Sequence, residues 1–318
     1  MSQDLNLPLI IINPKSAGGS TEQRWMRIAG DLAAHFGAFA VEFTRYSGHA
    51  IELAKQASEA GRKFIIACGG DGTINEVGNG ILLSGRDAEL GVLPSGTGGD
   101  FRRTLNLSTS PREIAKNLRD GITRKIDVGK VTFVDHEGRE VFRYFLNVSS
   151  FGLSASINER VKTKNALSWL PGDVLRGKAK FAISTLQEVF DVEYTTVRVK
   201  IDDAEEKQLN TINFCVANSR FFGGGMKIAP DAKLDDGFFD VVNIGDIRTA
   251  KIIFNAYRLY SGSHLSLDEV KHKHAKRVEV RPANDDETIY LETDGEIPGK
   301  LPAIYEIIPL ALKIRVPK

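Results

Sequence analysis

Short aliphatic runs alternate with longer, helix-like segments through the first hundred residues. Leu9–Ile12, Ala40–Thr44, Phe64–Cys68 and Leu90–Leu93 read as strands, and residues 21–36, 49–60 and 73–83 read as the helices between them. Strands alternating with helices of this length imply βαβ crossovers and a parallel sheet. Ligands of such sheets bind beyond the carboxyl ends of the strands, where glycine-rich loops stand here. Ser110-Pro111-Arg112-Glu113 predicts a further helix start, with Ser110 as cap, Pro111 in the first turn and Glu113 completing a capping box; Gly121 ends that helix.

Beyond Ile126 the pattern changes. Candidate strands fall at residues 144–148, 196–201, 211–217, 238–244, 277–281, 288–292 and 311–316, interrupted by helices near 177–190 and 249–260. Many strands with few intervening helices predict a mainly antiparallel, sandwich-like domain. The chain therefore divides near Asp127–Lys130 into an α/β domain with a parallel sheet (1–128) and a β-rich domain (129–318), with a C-terminal tail able to return to the first.

Composition narrows the class. The 318 residues are 42% hydrophobic and 26% charged with a net charge of +1, which suits a globular protein and excludes a global polyanion binder, hence no nucleic-acid partner. Cys68 and Cys215 sit in apolar runs and read as reduced core residues. The apolar run Leu7–Ile12 is too short for a signal-peptide core, and no run approaches the ~20 residues of a membrane-spanning helix. A cytoplasmic protein is expected, and the pattern specifies no oligomeric state.

Candidate chemistry centres on Gly69-Gly70-Asp71-Gly72-Thr73-Ile74-Asn75-Glu76, between a predicted strand and a predicted helix. Glycines let backbone amides approach phosphate oxygens, and a helix start adds unpaired N–H groups and a partial positive charge. Thr73 suits a helix cap or a phosphate contact, and Asp71 suits Mg²⁺ or a proton; a tight turn needing glycine for its shape is the plain alternative. The segment is neither a P-loop nor a dinucleotide fingerprint, because it lacks Gly-Lys-[Ser/Thr] and the wider glycine spacing.

That segment resembles the signature of the diacylglycerol kinase catalytic family: bacterial lipid kinases, sphingosine and ceramide kinases and, more distantly, NAD kinases. The likeness extends, in the family's order, through Asn13-Pro14-Lys15-Ser16-Ala17-Gly18-Gly19, Thr44 with Gly48-His49-Ala50, Ser95-Gly96-Thr97-Gly98-Gly99-Asp100-Phe101, Asn147–Gly152, Ala229–Gly237 and Thr293-Asp294-Gly295-Glu296. Many relatives carry Asn-Asp-Phe where this chain has Gly99-Asp100-Phe101, so any role of that asparagine does not transfer.

The resemblance implies ATP- and Mg²⁺-dependent phosphorylation of a lipid hydroxyl, diacylglycerol or a related amphiphile, with the second domain receiving the lipid. It places ATP on Asn13, Pro14, Lys15, Ser16, Thr44, Gly69, Gly70, Asp71, Gly72, Thr73, Asn75, Glu76, Ser95, Gly96 and Thr97. It places the proton acceptor at Glu296 with Asp294 beside it, or at Asp71 as in the sphingosine kinase branch. A structural Mg²⁺ is implied at the Asp236 carboxylate and the carbonyls of Lys233 and Phe238. By residue pattern alone, Asp294-Gly295 equally fits a hairpin and Asp235-Asp236-Gly237 a solvated turn. An NAD kinase and a non-catalytic nucleotide- or lipid-binding regulator are the alternative functions.

Enclosing a lipid from a bilayer would require transient contact at the inner membrane surface. Lys271-His272-Lys273-His274-Ala275-Lys276-Arg277 reads as a solvated loop or strand entry, or as a basic contact with anionic lipid. The run 271–277 itself holds no acidic or cysteine partner for its two histidines, which argues against a metal. Leu167–Gly172 reads as core or as a lip for lipid entry, and Phe221–Gly225 as a turn or a wall of the acceptor cleft.

Overall fold

The aliphatic runs become the strands of a parallel sheet: β1 (Leu9–Ile12), β2 (Ala40–Phe43), β3 (Phe64–Gly69) and β4 (Glu89–Pro94), ordered β2-β1-β3-β4. The computed structural model describes residues 4–95, 99–153, 194–247 and 249–318. It contains two units, Met1–Val128 with Pro309–Lys318, and Gly129–Ile308.

In the first unit, helices α1 (Ser20–His35), α2 (His49–Glu59), α3 (Asp71–Leu83), α4 (Asp100–Thr104) and α5 (Pro111–Asp120) follow the strands. Ile10, Ile12, Ile66, Cys68 and Leu93 form one buried cluster with Leu32 of α1 and Ile114, Ala115 and Leu118 of α5. Strands β1 and β3 are apolar along their length because they are buried on both faces, and β4 carries one charged residue, Glu89, at its start. Burial pushes the Cys68 thiol up to about 12, so it stays protonated and inert.

The C-terminal tail supplies a further parallel strand. β15 (Glu296–Val316) pairs with β4 through Lys313↔Glu89 and Ile314↔Leu90. Arg315 grips Glu89 with both Nε (2.7 Å) and Nη2 (2.5 Å), stacks its guanidinium over Phe64 and donates to the Leu118 carbonyl. Both side chains are largely buried, at 19% and 11% exposure. Removing one partner leaves the other charge uncompensated, so Arg315→Met is expected to cost about 3 kcal/mol, read from urea midpoints. Full stability in that variant would mean that apolar packing alone holds the tail.

The second unit is mainly antiparallel. One path runs β12 (Val270–Ala275), β11 (Phe239–Ile244), β10 (Asn213–Ala217), β7 (Val148–Gly152), β14 (Tyr290–Thr293) and β15. β13 (Arg277–Pro282) pairs with β15 and with β8 (Thr195–Ile201), which pairs with β9 (Lys207–Thr211); β5 (Ile122–Asp135) pairs with β6 (Glu140–Phe145). Phe145, Phe151, Phe214, Phe239 and Tyr305 fill its main core, and rings 151 and 214 stack at 5.1 Å. The opposite face of β7, β10, β11 and β12 carries Val148, Cys215, Ala217, Val242 and Val270 against Ile228, Ala229 and Ala232. Burial raises the Cys215 thiol as well. This is the sandwich expected from the strand-rich pattern.

Several element boundaries are corrected. The strand expected over 144–148 breaks at Leu146–Asn147, whose amides turn to a carboxylate, so β6 and β7 are separate. The run 211–217 divides at Ile212, whose N–H donates to the Ile244 carbonyl. The helix expected over 249–260 is two, α6 (Thr249–Asn255) and α7 (Tyr257–Ser261); Asn255 Nδ2 donates to the Lys251 carbonyl at their junction. No capping box forms at α5: Ser110 is the N-cap without a side-chain bond, and its N–H donates to Ser108 Oγ. The basic run is strand β12 and the entry to β13; among the described residues β12 pairs with β11 alone, and its lysines discourage further pairing. The long strand β5 was not anticipated; the helix expected near 177–190 and the apolar 167–172 segment lie outside the described residues.

Candidate active site

The loops after β1, β3 and β4 meet through side-chain contacts within the first unit. Asn13 Nδ2 donates to Thr73 Oγ1 (3.2 Å), its Oδ1 accepts the Lys15 amide (3.0 Å), and its own N–H reaches the Cys68 carbonyl (3.0 Å). Ser16 Oγ lies 3.1 Å from Ser95 Oγ and 2.6 Å from Thr21 Oγ1, and the Ser95 amide donates to the Gly69 carbonyl. The threonine side chain at 73 is buried. Glycine at 69 is needed for that packing, since a Cβ there would stand 2.3 Å from Thr73 Oγ1.

Helices α1, α2 and α3 begin on glycine N-caps, Gly19, Gly48 and Gly70, without side-chain caps. A glycine N-cap supplies no side-chain acceptor of its own, and at α1 and α3 that arrangement suits phosphate. Two carboxylates of α3 instead organise neighbouring helix starts. Glu76 accepts the Gly48 and Ala50 amides at 3.0 and 3.2 Å. Asp71 accepts the Asp100 amide on Oδ2 (3.1 Å) and the Phe101 amide on Oδ1 (3.0 Å). Asp71 thus ties the start of α4 to the start of α3.

Thr44 is tied to the same strand ends by its amide, which donates to the Ile12 carbonyl. Asn75 is buried and accepts Asn79 Nδ2 on its Oδ1. Pro14 lies in the loop after β1 and Gly72 in the first turn of α3, whereas Gly96 and Thr97 fall outside the described residues. The structure brings together Asn13, Ser16, Gly69, Thr73 and Ser95, and joins Asp71 to Asp100 and Phe101. Thr21 is the hydroxyl that pattern reading missed; only its place just past two glycines signals it.

In the second unit, Asp294 and Gly295 have φ of 48° and 88° and form a two-residue hairpin turn between β14 and β15, where Thr293 pairs with Glu296. The turn does more than reverse the chain. Asp294 Oδ2 accepts the Leu146 amide (2.8 Å), and Oδ1 accepts those of Asn147 (2.9 Å) and Val148 (3.1 Å). The next acidic residue, Glu296, pairs with Arg143 Nη1 at 2.6 Å and keeps about a third of its side chain exposed. Buried Glu292 accepts Ser150 Oγ (2.7 Å) and the Gly295 amide. Asn147 Oδ1 accepts Ser219 Oγ, and Asn218 Nδ2 donates to the Leu146 carbonyl. Arg143, Glu292 and Ser219 carry no local motif, since they reach the turn only through sheet pairing.

At Lys233–Phe238, Asp236 Oδ1 accepts the Phe238 amide (3.1 Å) and Gly237 has φ of 76°. Asp236 is exposed, and Lys276 lies over the Phe238 ring at 5.1 Å. The exposed Asp235 and Asp236 carboxylates give the turn hard oxygen donors, a ligand type that fits Mg²⁺.

This architecture and these loops can be set beside known proteins. The diacylglycerol kinase catalytic domain matches residues 8–131, and the YegS C-terminal NAD kinase beta sandwich-like domain matches residues 147–316. The chain belongs to the diacylglycerol kinase family. Its curated relatives include a diacylglycerol kinase of Bacillus subtilis (strain 168), 30% identical over 86% of this chain and 84% of that one. Another, from Mycobacterium tuberculosis (strain ATCC 25618 / H37Rv), is 29% identical over 89% of this chain and 87% of that one. A solved Bacillus anthracis str. Sterne chain, provisionally titled a diacylglycerol kinase, superposes with a TM-score of 0.75 over 98% of this chain and 97% of that one. At 24% identity this last likeness speaks to the fold alone. Membership supports lipid-kinase activity in general terms. Among the described residues, no helix is long and apolar enough to cross a membrane.

Proposed function

We propose that this diacylglycerol kinase family member transfers the γ-phosphoryl group of ATP to the free hydroxyl of diacylglycerol or a closely related lipid. The observation that carries the reading is the linkage of Asn13 to Thr73, Ser16 to Ser95, and Asp71 to the Asp100 and Phe101 amides. These contacts gather glycine-capped helix starts at the carboxyl ends of adjacent parallel strands. The relatives named diacylglycerol kinase favour that acceptor.

In this reading the loops Asn13–Ser16, Gly69–Thr73 and Ser95–Thr97 bind the triphosphate through backbone amides and hydroxyls, with Thr44, Asn75 and Glu76 shaping the loops. Mg²⁺ bound with the nucleotide would neutralise phosphate charge that no lysine or arginine of the Gly69–Glu76 loop offsets. Glu296 accepts the proton of the lipid hydroxyl. As that oxygen bonds to the γ-phosphorus, the bond to the ADP oxygen breaks, and Arg143 holds the carboxylate in position. Asp71 and Asp294 act as positioning residues, since each spends its carboxylate oxygens on backbone amides. Reaching a bilayer lipid implies contact with the membrane surface, to which Lys271 and Lys273 would contribute ~1 kcal/mol each on anionic lipid.

Radiolabelled ATP incubated with a total lipid extract, with pure diacylglycerol and with NAD tests the assignment. Labelled phosphatidic acid is expected. Label on NAD alone would make the chain an NAD kinase, and no label on any acceptor would favour a non-catalytic binding protein.

The oxygen-rich turn at Asp236, with the carbonyls of Lys233 and Phe238, is proposed to hold a structural Mg²⁺. Asp236→Ala should then lose the gain in melting temperature that Mg²⁺ gives by binding the native state. Equal gains in the variant and the parent would remove this site.

A further inference from the structure

The histidines of the basic run have an acidic partner after all, one that strand pairing supplies. β11 and β12 run antiparallel with Asp240 opposite His274 and Val242 opposite His272. Because side chains alternate along a strand, Asp240, His272 and His274 share one face. His272 Nε2 lies 2.6 Å and His274 Nε2 3.4 Å from the same oxygen, Asp240 Oδ1, and the three ligand atoms all fall within 4.8 Å of one another. The two imidazole rings stand 5.2 Å apart and nearly perpendicular, at 88°.

We propose that Asp240, His272 and His274 form a binding site for a divalent transition-metal ion of the zinc class.

Three physical points support it. Tetrahedral zinc, with bonds of about 2.0–2.2 Å, holds neighbouring ligand atoms roughly 3.3 Å apart. The His274 contact already has that spacing, and the shorter His272 contact is a hydrogen bond that opens when an ion replaces its proton. The donor set of two imidazoles and one carboxylate selects zinc, nickel, cobalt or copper over Mg²⁺ and Ca²⁺, which prefer oxygen ligands throughout.

Burial and access also agree. The Asp240 side chain is only 4% exposed, and among the described residues its ion-pair partners are these two imidazoles. A buried carboxylate needs such compensation, which a dication would supply more strongly than a neutral imidazole. Asp231 adds negative potential at His272. His274 keeps 57% of its side chain exposed, leaving an entry route and open coordination positions. On this face the apolar cluster of Val242 and Val270 ends and polar side chains begin. An ion there would clip β12 onto β11, immediately beyond the Lys233–Phe238 loop.

The test uses the full chain without affinity histidines, stripped by chelator and kept in excess Mg²⁺ so that oxygen-lined sites stay filled. Zn²⁺ is titrated against a competing chromogenic indicator, Co²⁺ binding is followed by visible absorption, and melting temperature is recorded with and without Zn²⁺. The wild type is expected to bind about one equivalent, with a Co²⁺ spectrum of a nitrogen- and oxygen-ligated low-coordinate site and a rise in melting temperature. Altering even groups behind a metal's ligands costs about 10–100-fold in affinity, so losing ligands through His272→Ala/His274→Ala should cost about 100-fold or more. Asp240→Asn should weaken binding too. Should that variant fail to fold, the exposed His274→Ala alone carries the test. Lys273→Ala, on the other face of β12, should bind as the wild type. A wild type that takes up no Zn²⁺ at micromolar concentration, or a double histidine variant that binds equally well, overturns the site.

Discussion

Glutamine in place of Glu296 is expected to lower kcat by about 10²–10⁴-fold, the usual worth of a general base, with ATP affinity unchanged. A lipid hydroxyl is a weak nucleophile near neutral pH, so the group that takes its proton acts mainly in the transition state. Glu296 pairs through its carboxylate with the Arg143 side chain at 2.6 Å and keeps about a third of its own side chain exposed. Asp294 differs, because three backbone amides already converge on its oxygens. An asparagine there would turn an NH₂ group toward at least one of those amides, setting donor against donor. Asp294→Asn is therefore expected to lose stability and activity together. The same reasoning applies to Asp71, whose oxygens take the Asp100 and Phe101 amides separately. Asp71→Asn should loosen the start of α4 and weaken ATP binding along with the rate. Single-turnover rates and nucleotide dissociation constants of the folded variants separate these patterns. Near-normal turnover in Glu296→Gln with a pure kcat loss in Asp71→Asn would move the base to Asp71.

Valine at position 70 should abolish ATP binding while the protein still folds. Gly70 has φ of −87° and ψ of −173°, extended backbone that a β-branched residue adopts without strain. It is the N-cap of α3, so a bulky side chain there would stand where phosphate oxygens approach the first amides of the helix. Gly69→Ala serves as the contrast. Its Cβ would collide with the buried Thr73 hydroxyl and disturb the core of the turn, so a loss of stability is expected there. Calorimetric titration with an ATP analogue, alongside melting curves, distinguishes the two effects. A folded Gly70→Val protein that binds ATP as well as the parent would leave the Gly69–Glu76 loop with a role in chain reversal only.

What the sequence determined by itself is local or ordered along the chain. The apolar runs at Leu9, Phe64 and Leu90, separated by helix-length segments, were enough for a parallel sheet, and the later strand-rich pattern for an antiparallel sandwich. Family membership was legible because its signature residues lie within single loops, where glycine spacing alone sets the backbone path. Boundaries were less legible, because they depend on partners distant in sequence. The break between β6 and β7 exists because Asp294, far along the chain, claims the amides of Leu146 and Asn147. Asp294-Gly295 read alone as a hairpin is correct about its φ values and silent about its carboxylate. Arg143 beside Glu296, Thr21 beside Ser95, and Asp240 beneath His272 and His274 arise only from strand register and helix packing. Hydrogen bonds and ion pairs act over about 3 Å in space whatever the separation along the chain, so a linear reading sees the donors and acceptors but not their pairing. Tertiary structure decided which carboxylates are occupied by backbone amides and which pair with a side chain.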